Sequence, residues 1–400
     1  MKRKNHGAGG KRRGGGGRVL AFLLSVWLLL QSAIIVAYAA PEGSDGTPEL
    51  KLNCKSAVLM EASSGKVLYA ENQDEAFPPA SVTKIMTLLL VMEALDSGKI
   101  KFTDTVTASA HACSMGGSQI YLKEGEQMSV EDMIKSVVIA SANDAAVALA
   151  EHVAGTEEAF VARMNERAKE LEMTTAHFEN TNGLDDTAQN HVLSAMDIAK
   201  MSRELIRHEK ILEYSSIWMD TVRDGAFGLT NTNRLIRFYK GATGLKTGST
   251  AKAGFCISAT AKREGMHLIC VIMGAESRDI RNAAATSLLD WGFANFALYT
   301  HKPEELTPLK VLGGVSSLCH VAYPEFSTVV RKSDVGKVEY VTDLPQDIPA
   351  PVKCGDAVGK ITYRLNGETI GESEICATEG VEKISFWGLL ARILAKMSLF

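Results

Sequence analysis

The chain has 400 residues, of which 46% are hydrophobic and 22% charged. That balance excludes a disordered, collagen-like or multi-span membrane protein and allows two or three domains. The net charge of −4 is unevenly spread: residues 1–40 hold seven Lys/Arg and no acid, which leaves 36 basic against 47 acidic groups, net −11, in the remainder. Such an acidic body argues against nucleic acid as a partner, because phosphate-backbone binding needs clustered Lys/Arg.

The basic, glycine-rich start runs into an apolar stretch from Val19 to about Ala37 and ends Ala37-Tyr38-Ala39-Ala40-Pro41. A positive leader, an apolar core and an A-x-A site are the parts of a secretory signal peptide, here residues 1–40. The run is also long enough for an uncleaved anchor helix. Either outcome places residues 41–400 outside the cytoplasm.

Residues 56–62 and 66–71 are short apolar runs around Ser63-Ser64-Gly65-Lys66, which predicts a strand, a turn and a strand. After Phe77-Pro78-Pro79-Ala80 comes a helical run from Ser81 to Leu95, ended by Gly98. Helices are predicted over 130–154, 156–172 and 194–208, and, after two further strands, over Ile280–Tyr299. Strands are predicted at Gly254–Thr260 and His267–Gly274, joined by the polar turn Lys262–Gly265. Strands, then helices, then strands and a closing helix describe an α+β domain over 50–300 with a helical insert. Residues 305–382 read as a small all-β domain, with an Asn366-Gly367 hairpin signal.

The last segment, 384–400, reads as an amphipathic helix. At 100° per residue Phe386, Leu389, Leu390, Ile393, Met397 and Phe400 share a face, Arg392 and Lys396 lie elsewhere, and no acid follows Glu382. An apolar face with only positive charge beside it suits an anionic membrane surface; docking on its own domain is the alternative.

Serine three residues before lysine on a helix puts hydroxyl and amine on one face. A desolvated lysine can then take the serine proton. Three such pairs occur. Ser63/Lys66 falls in the predicted hairpin turn and Ser249/Lys252 at the edge of a strand; only Ser81/Lys84 starts a helix, where backbone N–H groups stand free for an oxyanion. A helix N-cap is the plain alternative for Ser81. Ser141-Ala142-Asn143 and Lys246-Thr247-Gly248 each occur once; alone, the first reads as a loop and cap, the second as a turn. In combination, Ser-x-x-Lys, then Ser-x-Asn, then Lys-Thr-Gly is a specific signature of acyl-transferring serine enzymes.

Over about residues 50–400 the sequence resembles the low-molecular-weight penicillin-binding proteins that are D-alanyl-D-alanine carboxypeptidases. The resemblance rests on Pro79-Ala80-Ser81-Val82-Thr83-Lys84, Met115-Gly116-Gly117-Ser118, Ser141-Ala142-Asn143-Asp144-Ala145, Asn180-Thr181-Asn182-Gly183-Leu184 and Gly244-Leu245-Lys246-Thr247-Gly248. It implies a serine β-lactamase/DD-peptidase-like fold, an antiparallel sheet flanked by helices with a helical subdomain, then a small all-β domain and a membrane-binding helix. It implies that Ser81 attacks the carbonyl between two terminal D-alanines of a peptidoglycan stem peptide, with Lys84 as base. Ser141 would relay a proton to the leaving D-alanine and Asn143 would bind the substrate amide. Lys246 would keep the field positive around Ser141, and Thr247 would bind the terminal carboxylate. Ser81 and Ser249 would supply the oxyanion N–H groups, and Gly248 would be among the substrate-binding residues. β-Lactams would acylate the same serine, and no cofactor or metal is expected.

Some members carry an arginine within the segment that here reads Asn231-Thr232-Asn233; Arg234 is the nearby candidate to replace it. A serine β-lactamase would need a glutamate to activate the deacylating water, and Glu179 lies in roughly the right interval. A non-catalytic cell-wall-binding protein on the same fold would not require all six motif side chains. Of the seven cysteines, Cys256 and Cys270 face each other if the Lys262–Gly265 turn is symmetric about Arg263, although strand cysteines are more often buried small apolar groups.

Overall fold

A computed structural model of the chain describes residues 50–185 and 188–397, without the side chain of Lys396. The predicted leader and Phe400 therefore lie outside the described residues. Five antiparallel strands form the main sheet in the order Val67–Glu71, Ser56–Glu61, Met266–Ala275, Gly254–Arg263, Ala242–Thr250. The three inner strands are buried along nearly their whole length, as a sheet covered on both faces requires. The helix Arg278–Asn295 packs on this sheet, as does Ala195–Leu205, which also packs on Lys84–Asp96.

Lys84–Asp96 is apolar almost all round (Ile85, Met86, Leu88, Leu89, Val91, Met92), so most of it is buried and it carries Lys84 into the core with it. The helices around it are capped by the residues that the termini call for. Ser129 accepts from Asp132 N–H, Ser277 from Ile280 N–H, and Ser194 forms a reciprocal capping box with Asp197.

Several expectations change. The helix predicted over 130–154 is two, Val130–Ile139 and Asn143–Ala154, because Ser141 takes a left-handed φ of 63° that no helix can continue through. Ser81 lies in a 3-10 turn, Ala80–Thr83, ahead of the α-helix. The closing helix stops at Asn295, and Phe296–His301 pairs instead with Phe326–Arg331, a partner that local periodicity cannot see. Ala242–Thr250, unassigned in sequence apart from its Lys-Thr-Gly, is the edge strand.

The hairpin turn after Gly254–Arg263 is centred between Glu264 and Gly265, both with φ > 0, and its last pair is Arg263 with Met266. That register sets Cys256 opposite Gly248 and Cys270 opposite Ala259, so the two thiols do not face each other. All seven cysteines are free.

The C-terminal strands close a second core around Val311, Cys319, Tyr363 and Ile375, with Phe326 stacked on Tyr363 at 3.9 Å. Asn366 and Gly367 both have φ > 0 and turn the chain between Ala357–Leu365 and Glu368–Ala377, as the sequence signals. The helix Phe386–Met397 follows. Phe386, Trp387, Ile393, Leu394 and Met397 are exposed, while Arg392 reaches back to the Gly314 carbonyl at 3.3 Å. Among the described residues no helix is long and apolar enough to cross a membrane.

Candidate active site

The first turn of the central helix brings Lys84 Nζ to 2.9 Å from Ser81 Oγ. Two further acceptors converge on the same nitrogen, Asn143 Oδ1 at 2.5 Å and the Asn182 carbonyl at 2.8 Å. The Asn143 amide is oriented from its other end, where Nδ2 donates to the Gly116 carbonyl at 2.7 Å. Burial pushes the Lys84 amine well below its ordinary range; neighbouring Lys246 adds to this and Asp144 opposes it. A neutral amine has two N–H groups and one lone pair. With the two acceptors taking the N–H groups, the lone pair is left facing the Ser81 hydroxyl, the arrangement a general base needs.

On the opposite wall Lys246 Nζ lies 2.8 Å from Ser141 Oγ and 3.0 Å from the Thr247 carbonyl. Its pKa is lowered to about 7 by burial and by Arg281. Thr247 Oγ1 donates to Thr232 Oγ1 at 2.8 Å, and the Thr232 N–H reaches the Ile139 carbonyl at 3.1 Å, tying the edge strand to the helix end before Ser141. A methyl group at Gly248 would stand 2.8 Å from Ser81 N and 2.9 Å from the Pro79 carbonyl, so only glycine lets the strand run this close. Ser249 follows it, exposed, at the mouth.

The expected residues thus form two linked clusters. Ser81, Lys84 and Asn143 share hydrogen bonds; Ser141 and Lys246 share another; and Thr247 with Gly248 borders both. The other two Ser-x-x-Lys pairs are elsewhere engaged. Ser63 donates to the Glu61 carboxylate while Lys66 reaches the Val329 carbonyl, and Lys252 N–H meets Asp185. Glu179 Oε2 accepts the Gln189 and Asn190 backbone N–H groups at 2.6 and 3.1 Å, a loop tie that occupies the carboxylate a β-lactamase would use on water.

Sequence reasoning missed three contributors. Asp144 is buried and accepts from Ile120 and Leu122 N–H, holding the Met115–Ser118 loop region against the helix that carries Asn143. The Asn182 carbonyl accepts from Lys84 Nζ, a backbone role that no side-chain motif announces. Arg281, 3% exposed in the closing helix, is the buried cation that depresses Lys246. Arg234, the expected substitute cation, is exposed. Nothing in the local sequence distinguishes Arg281 from the neighbouring Arg278.

Known proteins resemble the chain over most of its length. A family model described as D-alanyl-D-alanine carboxypeptidase matches residues 43–277, and one described as penicillin-binding protein 5, C-terminal domain, matches residues 300–383. The chain is 40% identical over 390 residues to D-alanyl-D-alanine carboxypeptidase DacF of Bacillus subtilis, covering 96% of this chain and 99% of that one. It is 37% identical over 349 residues to DacC of Escherichia coli, covering 84% and 86%. The fold matches penicillin-binding protein 5 from Haemophilus influenzae with a TM-score of 0.74 and 30% identity, covering 84% of this chain and all of that one. It also matches penicillin-binding protein D2 of Listeria monocytogenes in its ampicillin-bound form, with a TM-score of 0.57 and 32% identity over 62% of this chain and all of that one.

Proposed function

The chain belongs to the D-alanyl-D-alanine carboxypeptidase family of serine peptidases, and from that premise we propose how its residues divide the work. It is a penicillin-binding D-Ala-D-Ala carboxypeptidase, which removes the terminal D-alanine of peptidoglycan stem peptides and is acylated by β-lactams. Ser81 is the nucleophile. Its hydroxyl proton passes to the neutral Lys84 amine as Oγ bonds to the carbonyl carbon, and the oxyanion forms against the N–H groups of Ser81 and Ser249. The carbon–nitrogen bond then breaks, with Ser141 relaying the proton to the departing D-alanine amine. Lys246 and Arg281 hold that end of the cleft positive for the substrate carboxylate, which Thr247 binds, and Asn143 also meets the substrate amide. Water then cleaves the ester on Ser81: Lys84 takes a proton from the attacking water and returns it to Ser81 Oγ as the ester C–O bond breaks.

The observation that carries this reading is the surroundings of Lys84 Nζ, two acceptors for its N–H groups and the Ser81 hydroxyl for its lone pair, which serve no purpose for a helix cap. Incubating the protein with a D-Ala-D-Ala-ended peptide and with benzylpenicillin tests it. Released D-alanine with a long-lived penicilloyl adduct on Ser81 is expected, and both vanish in Ser81→Ala. Rapid penicillin turnover would favour a β-lactamase, and neither signal a non-catalytic wall-binding protein.

The chain is further proposed to be exported, with residues 1–40 as its signal peptide, and to rest on the extracytoplasmic face of the membrane through residues 384–400. The exposed Phe386, Trp387, Ile393 and Leu394, on a helix that carries Arg392 and with no acid after Glu382, support this. Flotation with vesicles rich in anionic phospholipid is the test: retention by the full chain and its loss on removing 384–400 are expected. Equal binding by both forms overturns the assignment.

A further inference from the structure

The active site is backed by a chain of hydrogen bonds in which every donor has a defined direction. Thr83 Oγ1 has one proton, which it gives to the Ala80 carbonyl at 2.8 Å. The same oxygen lies 2.9 Å from His191 Nε2, and the other ring nitrogen, Nδ1, accepts the Glu179 N–H at 3.1 Å. A backbone N–H can only donate, so Nδ1 carries no proton and the ring's one proton is on Nε2, aimed at Thr83. His191 is 6% exposed and its ring is held edge-on to Phe178, with centroids 5.6 Å apart. The order is therefore Glu179 N–H to His191, His191 to Thr83, Thr83 to the Ala80 carbonyl.

That carbonyl belongs to the peptide unit whose N–H is that of Ser81. In a trans peptide C=O and N–H point in opposite directions in one plane, so whatever fixes the carbonyl fixes the N–H. Ala80 has a left-handed φ of 49°, a conformation a non-glycine residue leaves unless it is held. It is held on two sides. Thr83 grips the oxygen, and Gly183 lies so close that a methyl there would come within 1.9 Å of it.

We propose that His191 and Thr83 are positioning residues that orient the Ser81 N–H toward the oxyanion by clamping the Ala80 carbonyl on the far side of the same peptide. The proposal rests on the acyl-transfer reading above. Neither side chain touches the reacting atoms: each acts through the peptide plane, and His191 acts only through Thr83.

The test uses the full chain, with benzylpenicillin as acylating probe and a D-Ala-type peptide boronic acid as a stable tetrahedral probe of the oxyanion site. Thr83→Val keeps the shape and removes the hydroxyl. It is expected to slow acylation by roughly 10- to 100-fold, somewhat less than outright removal of an oxyanion donor, with the reversible affinity for penicillin little changed. Boronate affinity is expected to fall by the same factor, a readout that a general loss of packing would not move in step with acylation. His191→Leu is expected to lose less, His191→Gln to regain most of that loss by donating an amide N–H to Thr83, and Thr83→Val/His191→Leu to be no worse than Thr83→Val. Should Thr83→Val not fold, His191→Leu and His191→Gln carry the same comparison. Acylation near the wild-type rate in Thr83→Val, undiminished boronate affinity, or losses that simply add would each overturn the clamp. Failure of the wild type to acylate at Ser81 would instead overturn the reaction assignment beneath it.

Discussion

Lys246 Nζ and Ser141 Oγ, 105 residues apart in sequence, lie 2.8 Å apart across the cleft, so the edge strand of the sheet meets the gap between two helices of the insert. The meeting depends on Ser141 leaving the helix with φ 63°, which turns its hydroxyl toward the strand. Ser141→Ala leaves that backbone turn in place and removes only the hydroxyl. D-alanine release is expected to fall by about 10²-fold while the thermal midpoint shifts little, measured by coupled D-alanine assay and calorimetry. Unchanged turnover would remove Ser141 from the proton path.

The base must be neutral to act, so the acid limb of the pH profile reports Lys84. Burial and then Lys246 lower its pKa, and Asp144 raises it. Lys246→Gln removes a depressing charge and is expected to move the acid limb of penicillin acylation to higher pH, with a loss of up to about tenfold at pH 7 per unit of movement. Asp144→Asn removes the opposing charge and is expected to move the limb the other way. Limbs that stay put in both variants would identify another group as the base.

Gly248→Ala places a methyl 2.8 Å from Ser81 N and 3.0 Å from Val82 N, both backbone atoms that cannot swing aside. The edge strand must then move away from the nucleophile turn. A 10²-fold or greater loss of acylation, to order of magnitude, is expected with the far-ultraviolet dichroism unchanged, since misplacement by about 1 Å suffices for such a loss.

Two histidines set an acid limit on stability. Burial lowers the pKa of His191 to about 4, and that of His267 likewise to about 4 with help from Lys262. Unfolded imidazoles take up protons below about pH 6.5 that these native rings refuse, so the stabilisation is complete above that pH and is lost as pH falls toward 4. Each contributes up to about 3 kcal/mol to the difference. Urea unfolding at pH 7.5 and at pH 4.5 is expected to show the drop, and His191→Gln a shallower one. A pH-independent midpoint would contradict the buried neutral rings.

Much of the site was legible because its signals are local. Ser81 and Lys84 are one helical turn apart wherever that helix packs, and Asn366-Gly367 dictates its own turn through two positive φ values. The Lys-Thr-Gly strand was only half legible. Gly244 and Gly248 dilute its β signal, and both are needed for contacts with distant groups, Ser215 in one case and the Ser81 turn in the other. The end of the closing helix was not legible because no Gly or Pro interrupts the run from Phe293 to His301, and only the pairing with Phe326–Arg331 shows where the strand begins.

By itself the sequence determined the reaction class, since residue types at fixed short spacings carry their chemistry into any packing that keeps their helix or turn. The tertiary structure decided how the Ser81/Lys84 pair singled out in the sequence is buried and hydrogen-bonded, that Arg281 is buried while Arg234 is exposed, and how His191 is tied through Thr83 to the Ala80 carbonyl. The reason is physical. A lowered amine pKa requires desolvation, and a clamp on a peptide plane requires partners from Ala80, Gly183 and His191 at once. Both are produced only when segments a hundred residues apart exclude water from the same few ångströms.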